Sequence, residues 1–299
     1  MGVLDELESA AQQVLETAGG AVVGVGRRWR GGSGVVIEEG LVLTNAHNLS
    51  PEHPVEVAFG ADHAVEAEVL GRDDEGDLAL LRVDTGSRAP LPIPRGEGRV
   101  APGQVVFALS NPGGRGVRIG FGLVAAVGRS FRGPAGWPVT GAIEHGAPAP
   151  RGASGGPVVD RHGALLGLDT HRLEGGLYAA IPADESLAAS LDALRQGSRP
   201  PRARLGVVLA PSVAARRLRR AVGLPEREGL LVRAVMPESP AATAGIRQGD
   251  LLVHADGTDL RRPPDLWAVL GRVGETGMLS LVLVRGVEEH TVEVQLTRP

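Results

Sequence analysis

The sequence contains no cysteine, and this absence excludes disulfide bonds, thiol nucleophiles and zinc sites built from thiolates. Aromatic residues are also scarce, at 3% of 299 residues, so any core must be built from Val, Leu, Ile and Ala. No apolar run reaches the length of a membrane-spanning helix. The net charge of −4 lacks the positive surplus typical of nucleic-acid-binding proteins. We therefore expect a protein that has no membrane span and no nucleic acid as its partner.

Glycine and proline, in contrast, are abundant, with 44 and 22 residues. Both residue types mark turns, so their number favours short strands over long helices. The N-terminus is acidic where a secretory signal would be basic and then apolar. We therefore expect a cytoplasmic location, or a periplasmic or otherwise extracytoplasmic one if a leader has been removed.

The chain is long enough for two domains, and its pattern changes along its length. Residues 1–20 have apolar side chains at helical spacing, and residues 21–195 contain many short apolar runs. Residues 196–202 include two consecutive prolines and predict a linker. Residues 203–299 mix strand and helix patterns, which predicts a small α+β domain.

Short apolar runs separated by turns predict an antiparallel barrel or sandwich in residues 21–195. The predicted strands are Ala21–Val25, Val35–Ile37, Leu41–Thr44, Val55–Phe59, Val65–Leu70, Leu78–Val83, Val105–Leu109, Val117–Val127, Ala164–Leu168 and Leu177–Ile181.

One stretch, Gly152–Pro157, places Ser154 within a run of glycines. Glycine permits positive φ angles and close approach of a substrate, so such a loop can expose a serine beside backbone N–H groups. Taken alone, the stretch is also compatible with a simple glycine-rich turn that happens to contain a serine.

Two upstream residues favour the catalytic interpretation. His47 lies just after a predicted strand, where a connecting loop would expose it, and Asp77 directly precedes an apolar run. Serine is a weak nucleophile until a base takes its proton, and an aspartate can orient that base. The chain order His, Asp, Ser is one of those known for catalytic triads.

Three segments resemble the catalytic motifs of the HtrA/Deg serine proteases. They are Leu43-Thr44-Asn45-Ala46-His47, Asp77-Leu78-Ala79-Leu80-Leu81 and Gly152-Ala153-Ser154-Gly155-Gly156-Pro157. Pro240–Ile246 and Gly249–Leu252 are similar to part of the family's PDZ domain. The resemblance implies a mainly β protein, in which a trypsin-like double six-stranded antiparallel β-barrel is followed by a small α+β PDZ domain.

The resemblance also assigns roles to residues of the first domain. It implies that His47 is the general base, that Asp77 orients it and that Ser154 is the nucleophile. The N–H groups of Gly152 and Ser154 would form the oxyanion hole. No metal or cofactor is expected, and a homo-oligomer, a trimer in this family, is a further expectation.

In the second domain, Arg204-Leu205-Gly206-Val207 falls where the carboxylate-binding loop of a PDZ domain would lie. The strand Val207–Ala210 would pair with a C-terminal peptide. The helix Pro264–Val273 would wall the groove, with Leu266 and Leu270 as its apolar contacts.

These features imply an ATP-independent serine endopeptidase that cleaves unfolded or damaged polypeptides and whose PDZ domain binds C-termini and regulates activity. Three departures from the family pattern, Gly146, Arg151 and Ala153, lie in or before the serine loop. They keep open an alternative, a protease-fold scaffold that binds polypeptides without cleaving them efficiently.

Overall fold

The computed structural model describes residues 2–26, 31–50, 53–94, 100–132, 138–198, 204–210, 212–273 and 277–296. The chain divides into two compact units, Met1–Pro200 and Pro201–Pro299. The predicted linker 196–202 lies outside the described residues from position 199 onward. Among the described residues, no helix combines the length and the apolar character needed to cross a bilayer.

The first unit contains two closed barrels of six antiparallel strands each, which confirms the predicted fold class. The first barrel consists of β1 (Val22–Val25), β2 (Gly32–Glu38), β3 (Leu41–Thr44), β4 (Val55–Gly60), β5 (His63–Asp73) and β6 (Leu78–Arg82). The strand order around it is β1-β2-β3-β6-β5-β4.

The second barrel consists of β7 (Val105–Ser110), β8 (Arg118–Arg132), β9 (Pro138–His145), β10 (Pro157–Val159), β11 (Leu165–Arg172) and β12 (Tyr178–Pro182). The strand order around it is β10-β11-β12-β9-β8-β7. Neither β9 nor β10 was among the predicted strands. Pro138 and Gly141 interrupt the apolar alternation of β9, and β10 has only three residues, so both depend on pairing with their neighbours.

One apolar core joins the two barrels. Leu43 and Leu80 of the first barrel belong to the same buried cluster as Phe107 and Leu168 of the second. A smaller cluster, which includes Val124 and Ile143, lies apart within the second barrel. Burial at the junction therefore fixes one barrel against the other, and the candidate catalytic residues lie on loops that meet there.

Two helices cover the first unit. Helix α1 (Val3–Ala18) packs Val14 and Ala18 into the core. Helix α2 (Glu185–Arg195) begins after Asp184, whose carboxylate accepts hydrogen bonds from two N–H groups of the first turn. Its Leu187, Leu191 and Leu194 are buried.

The second unit is built on a sheet with strand order β13-β14-β15-β17-β18, and β16 pairs with β15. The strands are β13 (Val207–Ala210), β14 (Leu230–Val235), β15 (Leu251–Ala255), β16 (Thr258–Asp259), β17 (Met278–Arg285) and β18 (Glu288–Gln295). The helices are α3 (Ser212–Ala221), the short α4 (Pro240–Thr243) and α5 (Pro263–Val273). The edge position of β13 leaves one side of that strand open to a further strand.

Gly71 on β5 lies against the end of α2, so a substitution at this position tests how closely the helix packs against the strand. An added Cβ at Gly71 would lie 2.5 Å from the Leu194 carbonyl oxygen and 2.8 Å from the Leu194 Cα. We expect Gly71→Ala to lower the free energy of unfolding by about 1–3 kcal/mol, the usual cost of overpacking. Chemical denaturation followed by circular dichroism measures it. Gly20→Ala is the matched control, because no atom lies within 4 Å of its added Cβ, and an equal loss there would contradict this account.

Candidate active site

His47 lies in a single helical turn, Ala46–Asn48, that directly follows β3. Asp77 directly precedes β6 and has a positive φ of 57°, a conformation that aspartate adopts more readily than most residues. The side-chain amide of Asn45 donates to the Asp77 carbonyl at 2.9 Å. This hydrogen bond holds the two segments together at the edge of the first barrel.

The carboxylate of Asp77 is 3% exposed and accepts hydrogen bonds from two residues. His47 Nδ1 lies 2.8 Å from each of its oxygens, and the His47 backbone N–H donates to Oδ1 at 3.1 Å. The Thr170 hydroxyl donates to Oδ2 at 2.6 Å. A carboxylate only accepts, so Nδ1 carries a proton, and in the neutral ring Nε2 then has the lone pair that a general base requires.

The loop that carries Ser154 is held in shape by its own hydrogen bonds. Ala153 N–H donates to the Pro150 carbonyl at 3.0 Å, and Gly156 N–H donates to the Ala153 carbonyl at 2.8 Å. Gly152 and Gly155 have φ angles of 86° and 88°, which side chains with a Cβ rarely adopt.

Two N–H groups in this loop are uncommitted. Within the described part of the chain, neither the Gly152 N–H nor the Ser154 N–H donates to a hydrogen bond, although those of Ala153, Gly155 and Gly156 all do. Pairs of such donors beside a nucleophile can stabilise a developing oxyanion. Ala153, one of the three departures from the family pattern, is compatible with these two free donors. Its side chain is buried, and it forms hydrogen bonds within the loop through its backbone alone.

The Ser154 hydroxyl donates to the Thr170 carbonyl at 2.9 Å. Among the described residues it makes no hydrogen bond with His47, so the histidine and aspartate are joined directly and the serine is joined to them through Thr170. Thr170 was not identified from the sequence. Its position after the apolar run of β11 gives no sign that it contacts both Asp77 and Ser154.

Ser33 and Asn48 of the first barrel were also not predicted from the sequence to contact the site. Both bind the serine loop: Ser33 Oγ donates to the Gly152 carbonyl, and the Asn48 amide donates to the Ser154 carbonyl, each at 2.8 Å.

The other two departures from the family pattern, Gly146 and Arg151, differ in their contacts. Gly146 N–H donates to the Leu123 carbonyl at 2.9 Å, whereas the Arg151 side chain is exposed.

The loop before β13 in the second unit also presents free donors. Across the described ranges, neither Leu205 N–H nor Gly206 N–H donates to a hydrogen bond, while the carbonyls of both accept from the segment 236–241. Gly206 has a φ of 79°, and an added Cβ would lie 2.2 Å from the Ser239 Cβ. Leu266 and Leu270 of α5 are buried in the same core cluster as Leu205. Arg204 is exposed at the start of the loop.

The basic residues of α3 are largely neutralised. Arg216 pairs with Glu228 at 3.0 Å, and Arg220 pairs with Glu226. Arg219 is buried and donates to two backbone carbonyls, those of Pro225 and Gly286, at 3.0 Å each. Burial lowers the pKa of Arg219, and the nearby positive charge of Arg227 lowers it further. The helix therefore offers little of the uncompensated charge that a nucleic acid would bind.

Comparison with known proteins finds a similar domain for each of the two units. Residues 32–168 match a trypsin-like peptidase domain, and residues 231–275 match a PDZ domain. A putative serine protease HhoA of Synechocystis is 31% identical over 276 residues, which cover 88% of this chain and 70% of that protein. A probable periplasmic serine endoprotease, DegP-like, of Halomonas elongata is 29% identical over 273 residues, covering 90% of this chain and 56% of that protein. The chain thus spans little more than half the length of several curated relatives.

Two solved protease structures are similar to this chain. A serine endoprotease from Yersinia pestis has a TM-score of 0.66 at 28% identity, over 96% of this chain and 97% of that one. An HtrA-type protease AlgW with a tripeptide has a TM-score of 0.69 at 26% identity, over 96% and 97% of the two chains.

Thr170→Val tests whether the Thr170 hydroxyl holds Asp77 in place. The variant keeps the side-chain shape but removes the donor to Oδ2. Hydrogen bonds to charged groups contribute about 1.5–3 kcal/mol, so we expect Ser154 to react with a fluorophosphonate about tenfold more slowly, or slower still. Thr85→Val, at another buried threonine of the same unit, is the control. Equal labelling rates in both variants would show that the contact has no effect on Ser154.

Proposed function

The chain belongs to the HtrA family of serine proteases, and on that premise we propose that it is an ATP-independent serine endopeptidase for unfolded or damaged polypeptides. The observation that carries this proposal is the His47–Asp77 pair, with Nδ1 2.8 Å from both carboxylate oxygens, beside a glycine loop that exposes Ser154 and two free N–H groups.

The proposed reaction proceeds in two steps. Rotation about the Ser154 Cα–Cβ bond moves the hydroxyl from the Thr170 carbonyl towards His47. Nε2 then takes the proton as Oγ attacks the scissile carbonyl, and the Gly152 and Ser154 N–H groups stabilise the oxyanion. The imidazolium, stabilised by Asp77, protonates the leaving amine. A water molecule repeats the sequence on the acyl-enzyme and releases the second product.

The edge of β11 supports an extended polypeptide as substrate. Strand β10 pairs with β11 only as far as Leu168, while β12 continues to pair with it as far as Arg172. Asp169 of β11 then bonds through its backbone to Gly155 and Gly156 of the Ser154 loop. Residues 170–172 lie beyond this pairing on the side away from β12, where a substrate chain can add as a further strand. Most of the backbone of a folded protein is already paired within its own structure, so this requirement favours unfolded or damaged chains. The family resemblance adds a preference for cleavage after small or medium apolar residues.

For the second unit we assign a PDZ domain to residues 203–299, after a protease domain at 21–195, an N-terminal helix at 1–20 and a linker at 196–202. Its free N–H groups at Leu205 and Gly206 would bind a terminal carboxylate together with Val207 and the neighbouring Arg204. The peptide would pair with the open edge of β13 and lie against the side of α5 near Leu266 and Leu270, and its binding would regulate the protease.

The DegP-like relatives are described as periplasmic. This description supports an extracytoplasmic location over the cytoplasmic one expected from the sequence. The scaffold alternative has one observation in its favour, the hydroxyl of Ser154 that points to Thr170 and not to His47.

Ser154→Ala decides between the protease and the scaffold. We expect the wild-type chain to hydrolyse unfolded casein and the variant to lose at least about a thousandfold in rate, because the nucleophile is removed. The far-ultraviolet circular dichroism of the variant should be unchanged. Ser190→Ala, at a hydroxyl that bonds to the Ser186 carbonyl within α2, is the control and should retain full activity. Equal turnover by Ser154→Ala would contradict the assignment of the nucleophile, and an inactive wild type would favour the scaffold.

Binding of C-termini is tested on the full chain carrying Ser154→Ala, so that the peptide is not cleaved. Calorimetry with a peptide that ends in Val should show binding, and amidation of the peptide C-terminus should weaken it about tenfold or more, because a charged hydrogen-bond acceptor is lost. Equal affinity for the free acid and the amide would show that the Leu205–Val207 loop does not bind carboxylates.

A further inference from the structure

Asn48 directly follows His47, and its side-chain amide bonds to the serine loop. Nδ2 donates to the Ser154 carbonyl at 2.8 Å and to the Thr44 hydroxyl oxygen at 3.0 Å. A carbonyl oxygen only accepts, so the nitrogen of the amide, and not its oxygen, must face Ser154. Both hydrogens of the amide group are therefore used.

The surrounding hydrogen bonds agree with this orientation. The Thr44 hydroxyl donates its own hydrogen to the Ser33 carbonyl at 2.7 Å, so towards Asn48 it can only accept. The Ser154 carbonyl also accepts from the Ser33 backbone N–H at 2.8 Å. Two donors of the first barrel thus occupy both lone pairs of the carbonyl of the proposed nucleophile.

Two glycines make room for the amide. An added Cβ at Gly32 would lie 2.2–2.3 Å from the amide atoms of Asn48, and one at Gly155 would lie 3.0 Å from Nδ2. Gly155 has a positive φ, which alone favours glycine, but no positive φ accounts for Gly32. The absence of a side chain at position 32 is therefore explained by the space that Asn48 occupies.

From this arrangement we infer that Asn48 is a positioning residue, which fixes the main chain of Ser154 relative to the turn that carries His47. This inference rests on the proposed protease function. Because Asn48 and His47 are consecutive, any shift of the histidine turn is transmitted to Ser154 through one hydrogen bond. Loss of the donor should misplace Oγ relative to Nε2 and slow the chemical step, while the edge of β11 that binds substrate is unchanged.

Asn48→Asp is the sharpest test, since it keeps the shape of the side chain and exchanges the amide donor for an acceptor. We expect kcat on fluorescent casein to fall about 10- to 100-fold, with KM within about twofold of the wild type. Gln13→Glu, the same amide-to-acid exchange on the exposed face of α1, is the control for the added charge and should leave both constants unchanged.

Substitutions at positions 32 and 48 distinguish a packing role of Asn48 from a positioning role. Gly32→Ala alone should lower the denaturation midpoint, because its methyl group collides with Asn48. Gly32→Ala combined with Asn48→Ala should restore the midpoint to that of Asn48→Ala or above, since the methyl group then occupies vacated space, yet kcat should stay as low as in Asn48→Ala. A double variant that recovers both would show that Asn48 has only a packing role.

The rate at which a fluorophosphonate labels Ser154 is measured in parallel. If the wild type labels but does not hydrolyse casein, the protease proposal fails while the role of Asn48 is still read from the labelling rates of the same variants. Wild-type rates of labelling or hydrolysis in Asn48→Asp would overturn the inference. A wild type that neither labels nor hydrolyses would overturn both proposals, because Ser154 is then not held in a reactive position.

Discussion

The hydrogen bonds of Ser33 join the two barrels, and the candidate active site depends on them. Ser33 is fully buried and donates from its backbone to the Ser154 carbonyl and from its hydroxyl to the Gly152 carbonyl, each at 2.8 Å. Its hydroxyl also accepts from the Asn111 backbone N–H at 2.9 Å. A residue of the first barrel therefore holds both the serine loop and the turn after β7 of the second. The close approach also explains Gly24, whose added Cβ would lie 2.6 Å from the Gly114 nitrogen.

The second barrel contains another imidazole–carboxylate pair, which is buried. Comparison with this pair shows why the His47–Asp77 pair is suited to proton transfer. His145 Nε2 lies 3.8 Å from Asp169 Oδ1, and both side chains are almost fully buried. Neither ring nitrogen of His145 has a hydrogen-bond partner within the described residues. The His47 side chain, by comparison, is 27% exposed, and its Nδ1 is fully engaged by Asp77. Proton transfer to a substrate needs an oriented ring with an accessible nitrogen. Of these two histidines, His47 is the one whose ring is both held by a hydrogen bond and partly exposed.

Much of this architecture could be predicted from the sequence, because the strand and turn patterns of single segments agree with the fold that those segments form together. Short apolar runs and turns predicted an antiparallel barrel or sandwich, and the family resemblance implied the double barrel. Three ordered motifs identified His47, Asp77 and Ser154 as candidate site residues. Strand β9 was missed because its pairing comes from β8 and β12 and not from its own alternation. Thr170 and Asn48 were missed for a related reason. Their hydrogen bonds reach residues 93 and 106 positions away, and no periodicity in one segment records such a contact.

The shared construction of the site has a consequence for how the protein would lose activity. The proposed base and its aspartate belong to the first barrel and the proposed nucleophile to the second, so the proposed catalytic power is a property of the junction and of neither barrel alone. A displacement of about 1 Å at Ser33 would lower the rate about a hundredfold while every strand stayed paired. Inactivation by heat or by denaturant would then precede any spectroscopic sign of unfolding. An agent that wedges the barrels apart would act as an inhibitor without touching the substrate cleft.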